Sequence, residues 1–300
     1  MTWHTFAERT ADFFSFRWGF ALDGLLAGVI VGGLCGLVGV FMVLRRLSLI
    51  GDATAHATLP GVCVAFLLTG SKALPVLLAG ALASGLAANA MVAWLLRLPR
   101  SRPDAVIGVV LSVFFGLGIV LLSFVQVSPT GAQSGLQSFL FGSAAGVARS
   151  QVLTLGVAGI AVGLVVVAAM RPLTLATFDP VFAGSVGIPV RAIETLSLLT
   201  LAAVVVVSIR TVGVVLAAAM LIVPPSAALL VARRRIGAAA GLSAAIGALS
   251  GAIGAWISFV FEGLSTGPTM VLVAGTIFTA VFAVERARVA LRVARLRRFA

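Results

Sequence analysis

Residues Ser48–Gly61 read SLIGDATAHATLPG, in the midst of some of the most apolar sequence in the chain. Asp52 and His56 lie four residues apart, so on a helix they share one face with Cβ atoms about 5–6 Å apart. If the stretch is a membrane span, an aspartate within it costs roughly 2.5–3.5 kcal/mol on the insertion scale, and such costs usually mark function. The fold therefore turns on whether this segment lies in lipid.

Composition answers that question. The chain has 300 residues, of which 61% are hydrophobic and 10% charged, with a mean hydropathy of +1.19. A water-soluble core would saturate at this length and leave the surplus apolar surface facing water. A polytopic helical membrane protein has lipid there instead. Apolar runs of about 20 residues, enough to cross a hydrocarbon core about 30 Å thick, fall at 20–44, 49–69, 74–96, 105–127, 151–170, 192–209, 211–232, 237–261 and 269–285. The expected class is all-α, with eight to ten transmembrane helices and nine as the central reading. Segment 133–148 is polar and rich in glycine, and reads as a short re-entrant or interfacial helix. No soluble domain is expected.

The net charge is +12, from 21 basic and 9 acidic residues. In a soluble protein that would point to nucleic acid; here the basic residues fix topology and meet anionic lipid. If the spans alternate, Arg45, Arg46, Arg97, Arg100, Arg102, Arg171, Arg191, Arg233–Arg235 and the tail from Arg286 share one side. That places the C-terminus in the cytoplasm. Residues 1–19 interleave Trp3, Phe6, Phe13, Phe14 and Trp18 with charges, as an interfacial helix would. Residues 20–285 form the transmembrane domain, and 286–300 a basic cytoplasmic tail. Cys35 and Cys63 lie in apolar runs and read as small packing residues.

Gly24, Gly28, Gly32 and Gly36 make three consecutive GxxxG steps, and Gly247 and Gly251 another. In lipid such stripes let helix backbones approach closely.

Within the opening stretch, a carboxylate and an imidazole are half of a ligand set for a transition-metal ion. A twofold partner would complete it with a second Asp and His. A structural Asp–His hydrogen bond, or Asp52 capping a helix, are the other readings. Leu59-Pro60-Gly61 follows directly, and proline bends a helix and frees a carbonyl. Interrupted helices at mid-membrane commonly mark transport sites, which favours the functional reading. Pro224 and Pro225 could kink the 211–232 span beside the same path, or serve only as a packing bend.

The stretch RRLSLIGDATAHATLPG (45–61) resembles the signature of the membrane permeases of bacterial zinc, manganese and iron uptake ABC transporters. FLFGSAAGVARSQV (139–152), TFDPVFAGSVGIP (177–189) and RTVGVVLAAAMLIVPPSAALLVARR (210–234) agree with it, in the same order along the chain. The resemblance implies an ABC-importer permease fold related to the vitamin B12 and siderophore permeases. It also implies that Asp52 and His56 line a metal path contributed by two permease subunits.

In the 177–189 stretch, Asp179 suits an N-cap and Pro180 the first helical position. Gly187 suits the C-terminal stop, and Pro189 prevents continuation. A short capped helix on the arginine-rich side is expected on these local grounds. The resemblance implies that it is the coupling helix that docks on an ATPase, with Phe178, Asp179, Pro180, Ala183 and Gly187 as its key residues. A phosphate-binding loop needs glycine directly before lysine. The only lysine, Lys72, follows Ser71, so ATP hydrolysis falls to a partner. Residues 263–267 match GxSxG only formally, because a nucleophile elbow needs a strand–turn–helix and a base.

The combined expectation is a non-catalytic permease subunit of an ATP-driven importer in the bacterial inner membrane. It would carry a divalent Zn, Mn or Fe ion as cargo and hold no permanent cofactor. Its partners would be a second permease copy or related chain, cytoplasmic ATP-binding subunits, an extracytoplasmic metal-binding protein and lipid, with no nucleic acid. The rivals are a metal-chelate or cobalamin permease, and a secondary transporter using Asp52 and His56 as a proton relay.

Overall fold

The computed structural model describes residues 3–15, 19–46, 48–71, 73–127, 149–209, 211–232, 235–261 and 264–297. Its helices are α1 (Trp3–Phe14), α2 (Gly19–Leu44), α3 (Ser48–Thr69), α4 (Leu74–Leu95), α5 (Pro103–Val127), α6 (Arg149–Ala168), α7 (Met170–Phe178), α8 (Pro180–Ser185), α9 (Val190–Ile209), α10 (Val214–Val231), α11 (Ile236–Val260) and α12 (Thr266–Arg297). Among the described residues, eight helices are long and apolar enough to cross a membrane: α2, α3, α4, α5, α6, α9, α11 and α12. The 211–232 span is the shorter α10, because Thr211–Gly213 form a turn ahead of it and Gly213 adopts φ +91°. The segment 133–148, Lys72, Arg210, Arg233, Arg234, Glu262 and Gly263 lie outside the described residues.

Helix α2 is the axis of the bundle. It packs on α10 and α11 and also on α6 and α9; α3 gathers α4 and α5 around itself, and α9 and α10 bridge the two groups. The closest crossing is α2 on α11, where the two glycine stripes meet. A Cβ at Gly32 would fall on the Gly247 carbonyl, one at Gly28 on the Gly251 carbonyl, and one at Gly36 on the Ser243 carbonyl. The Ser243 hydroxyl donates to the Gly36 carbonyl at 2.7 Å. Lipid gives helices no hydrophobic reason to associate, so this backbone-to-backbone approach and its hydrogen bond do the work.

Helix ends follow local chemistry. Arg46 closes α2 in the left-handed region at φ +57°, the geometry common to helix C-termini. Helix α12 carries no glycine or proline after Gly275, so it runs on to Arg297 and the basic tail extends a span rather than forming a separate piece. Arg45 after α2, Arg97 after α4 and Arg191 in the first turn of α9 come together around one cavity at one end of the bundle. At the opposite end α1 lies against α11: Phe13 packs on Phe259, as does Phe20 of α2, and an Arg9 Nη donates to the Val260 carbonyl.

Candidate metal site

Helix α3 is uninterrupted from Ser48 to Thr69, with Pro60 inside it. Proline at 60 has no N–H for the carbonyl four residues back, which is that of His56. The α4 side braces this weak point, since the Ser84 hydroxyl donates to the Ala57 carbonyl at 2.6 Å. Gly61 is the contact point: a Cβ there would fall on the Gly80 carbonyl, and one at Gly80 would meet Gly61 in turn. Across α5, Gly118 admits Leu59 and Pro60, with a built Cβ only 3.0 Å from each.

Asp52 and His56 lie on the face of α3 beside α5. His56 Nε2 stands 3.4 Å from Asp52 Oδ1, with side-chain exposures of 18% for His56 and 36% for Asp52. The His56 ring meets Phe115 edge-on at 4.8 Å between centroids, which fixes the plane of the imidazole. The pair is thus partly buried within one chain and still reachable from outside it. Among the described residues no group of three or more His, Cys, Asp or Glu comes together to hold a metal. Among the described residues one chain brings two such ligands together.

The opposite face of α3 carries polar residues that the sequence reading passed over. The Thr54 hydroxyl lies 2.7 Å from both the Ile50 carbonyl and Asn89 Oδ1 and shares its one proton between these acceptors, and Asn89 Nδ2 donates to the Leu198 carbonyl at 3.2 Å. Buried polar groups in lipid must be paired, and this network ties α3 to α4 and α9 at a fixed rotation. That rotation sets which way Asp52 and His56 point. The signal was Asn89, alone among apolar neighbours in its span.

Pro224 and Pro225 are buried in α10, and a Cβ at Gly39 of α2 would meet the Leu221 carbonyl and Pro225 Cγ at the α2–α10 crossing. Asp179 caps α8, its Oδ1 accepting from the Phe182 N–H at 2.8 Å, and Pro180 opens the helix. Gly187 at φ +88° ends it, and the Ile188 N–H reaches the Ala183 carbonyl at 2.9 Å. Ala183 is buried, while Phe178, Val181, Phe182 and Val186 are exposed, so α8 presents an apolar knob at the arginine-rich end. Arg45 Nε donates to Thr177 Oγ1 at 3.1 Å, joining the segment ahead of α8 to the α2–α3 turn. Burial pushes the Arg45 guanidinium down from its ordinary value, and the Glu194 carboxylate opposes that. The i, i+3 spacing of Arg191 and Glu194 predicts an ion pair between them. Among the described residues no such pair forms; Arg45, Arg191 and Glu194 line one cavity together.

The chain is thus a polytopic helical bundle with a capped helix at one end and a paired Asp–His on a central helix. The chain belongs to the ABC 3 transport family, whose description matches residues 18–285. It is 42% identical over 279 residues to the manganese transport system membrane protein MntC of Bacillus subtilis, a match covering 91% of this chain and 64% of that protein. The chain thus spans just under two thirds of the length of that relative. It is 37% identical over 255 residues to the zinc transport system membrane protein TroC of Treponema pallidum, covering 85% of each. The solved structure of PsaBC from Streptococcus pneumoniae in complex with Fab superposes with a TM-score of 0.80 at 30% identity, covering 91% of this chain and 95% of that one.

Proposed function

We infer that this protein is the membrane permease subunit of an ATP-driven importer for a divalent transition-metal ion, seated as a multi-pass protein in the bacterial inner membrane. The single observation that carries this reading is the partly buried Asp52–His56 pair on α3, two ligands without a third among the described residues. Relatives that serve manganese and zinc transport systems support the cargo class. A second permease copy brings its own Asp and His to the same axis, giving four oxygen and nitrogen donors around one path. Such a mixed set accepts Zn, Mn or Fe. Each chain's two donors hold the ion loosely enough for it to leave, as conduction requires. Pro60 and Gly61, with Pro224 and Pro225, set the helix crossings that open and close around that path.

Residues 1–19 lie at the outer interface, 20–285 form the permease and 286–300 lie on the cytoplasmic side. An extracytoplasmic metal-binding protein delivers the ion, and ATP-binding subunits dock on α8. Motion then passes from Asp179–Gly187 through α7 and the Arg45–Thr177 bond to the inner ends of α2 and α3. Loss of an N-cap costs about 1 kcal/mol, enough to fray a helix of six residues. Asp179→Ala is therefore expected to cut transport-stimulated ATPase activity several-fold while leaving metal binding intact. Unchanged stimulation would remove α8 from the coupling route. The function itself is tested by metal accumulation in vesicles driven by ATP, against a proton gradient alone.

A further inference from the structure

We propose that the arginine-rich end of the groove between α4 and α9 binds one anionic phospholipid, its phosphate among Arg45, Arg97 and Arg191 and an acyl chain along Leu86, Trp94 and Leu199. Two adjoining cavities carry this. The first, of about 320 Å³, is lined by those three arginines together with Glu194 and Thr195. The second, of about 390 Å³, shares Arg97, Thr195 and Leu198 with the first and continues along α4 and α9 over an apolar lining that reaches Leu86. One end is cationic and the other mainly apolar, and the two adjoin at shared residues, an arrangement that suits a lipid rather than a free anion.

The charge balance is explicit. Three arginines and one glutamate leave two positive charges. Glu194 lies close enough to Arg45 to offset part of its charge, and Arg45 donates to Thr177; among the described residues none of Arg45, Arg97 and Arg191 forms an ion pair. Two exposed guanidinium groups are therefore free for a phosphate, which they can grip in bidentate fashion. Trp94 is 60% exposed beside them, the position at which an indole marks the headgroup level. Basic pockets between spans at the cytoplasmic surface are suited to anionic headgroups. Met42 and Ile50 line the same cavity, so the lipid touches the inner ends of α2 and α3 where the coupling segment joins them. The proposal does not depend on which ion the permease carries.

The test is native mass spectrometry of the full-length permease in non-ionic detergent, titrated with phosphatidylglycerol or phosphatidylcholine. At about 1 kcal/mol per basic residue near an anionic surface, the double variant Arg97→Gln, Arg191→Gln is expected to lower phosphatidylglycerol retention about thirtyfold and leave phosphatidylcholine unchanged. Leu199→Trp, which keeps both arginines and fills the apolar groove, is expected to lower it as well. Arg288→Gln, on the exposed end of α12, is expected to leave it at the wild-type level. Retention undiminished in the double variant would overturn the site. So would an equal loss in Arg288→Gln, which would mean diffuse charge, or competition by glycerol phosphate as effective as that of the lipid, which would mean a soluble anion site.

Discussion

Replacing Asp52 or His56 with Ala is expected to bring metal uptake down to the level of vesicles lacking the transporter, while the complex still assembles. Changes to groups that merely orient a metal ligand cost about 10–100-fold in affinity, and removal of a direct ligand should exceed that. The substitutions are structurally mild. The two side chains contact each other at 3.4 Å and His56 touches Phe115, but the rotation of α3 is held elsewhere, by Thr54, Asn89 and the Leu198 carbonyl. A mixed dimer with one wild-type and one doubly substituted copy separates a shared path from two independent ones. Shared ligation predicts that the mixed dimer loses most of its uptake; half-maximal uptake would mean that each copy carries metal alone.

The second large effect belongs to stability. Gly32→Val or Gly247→Val is expected to destroy the folded permease. Each new Cβ would land on the backbone carbonyl of the facing helix, where no flexible side chain can give way. Overpacking in well-packed cores costs about 1–3 kcal/mol when side chains can adjust, and here two backbones must separate. The measurement is the yield and thermal midpoint of the detergent-purified protein. Gly116→Ala and Gly275→Ala provide the contrast, since nothing lies within 4 Å of a Cβ at either position. Removing glycine from an exposed helix is neutral or stabilising by up to about 1 kcal/mol. Equal loss in both sets would deny the crossing its importance.

Those two sites were readable in the sequence for different reasons. Asp52 and His56 stand out because charge in an apolar run is expensive, and their spacing alone puts them on one face. The glycine stripes at 28, 32 and 36 and at 247 and 251 announce close packing, and the structure pairs them with each other. Asp179, Pro180 and Gly187 carry their cap chemistry locally, so α8 was legible without tertiary information. Partner choice was not. Helices that are apolar nearly all round give no periodic signal about which neighbour they face, so the Gly61–Gly80 contact and the Asn89 bond to the Leu198 carbonyl emerge only in the fold. The Glu194 carboxylate illustrates the same limit: Arg191 is three residues away in sequence, but the two form no ion pair, and the fold brings Arg45 to the cavity they line.

The most direct measurement is uptake of Mn²⁺, Zn²⁺ and Fe²⁺ by the wild-type permease reconstituted with its ATP-binding subunits and metal-binding protein. Vesicles supplied with ATP are compared with vesicles given only a proton gradient. The expected result is accumulation of at least one of these ions that requires ATP and disappears in Asp52→Ala. Accumulation driven by the proton gradient without ATP, or ATP-driven accumulation that survives in Asp52→Ala, would contradict the assignment of this pair to the path of an ATP-driven metal importer.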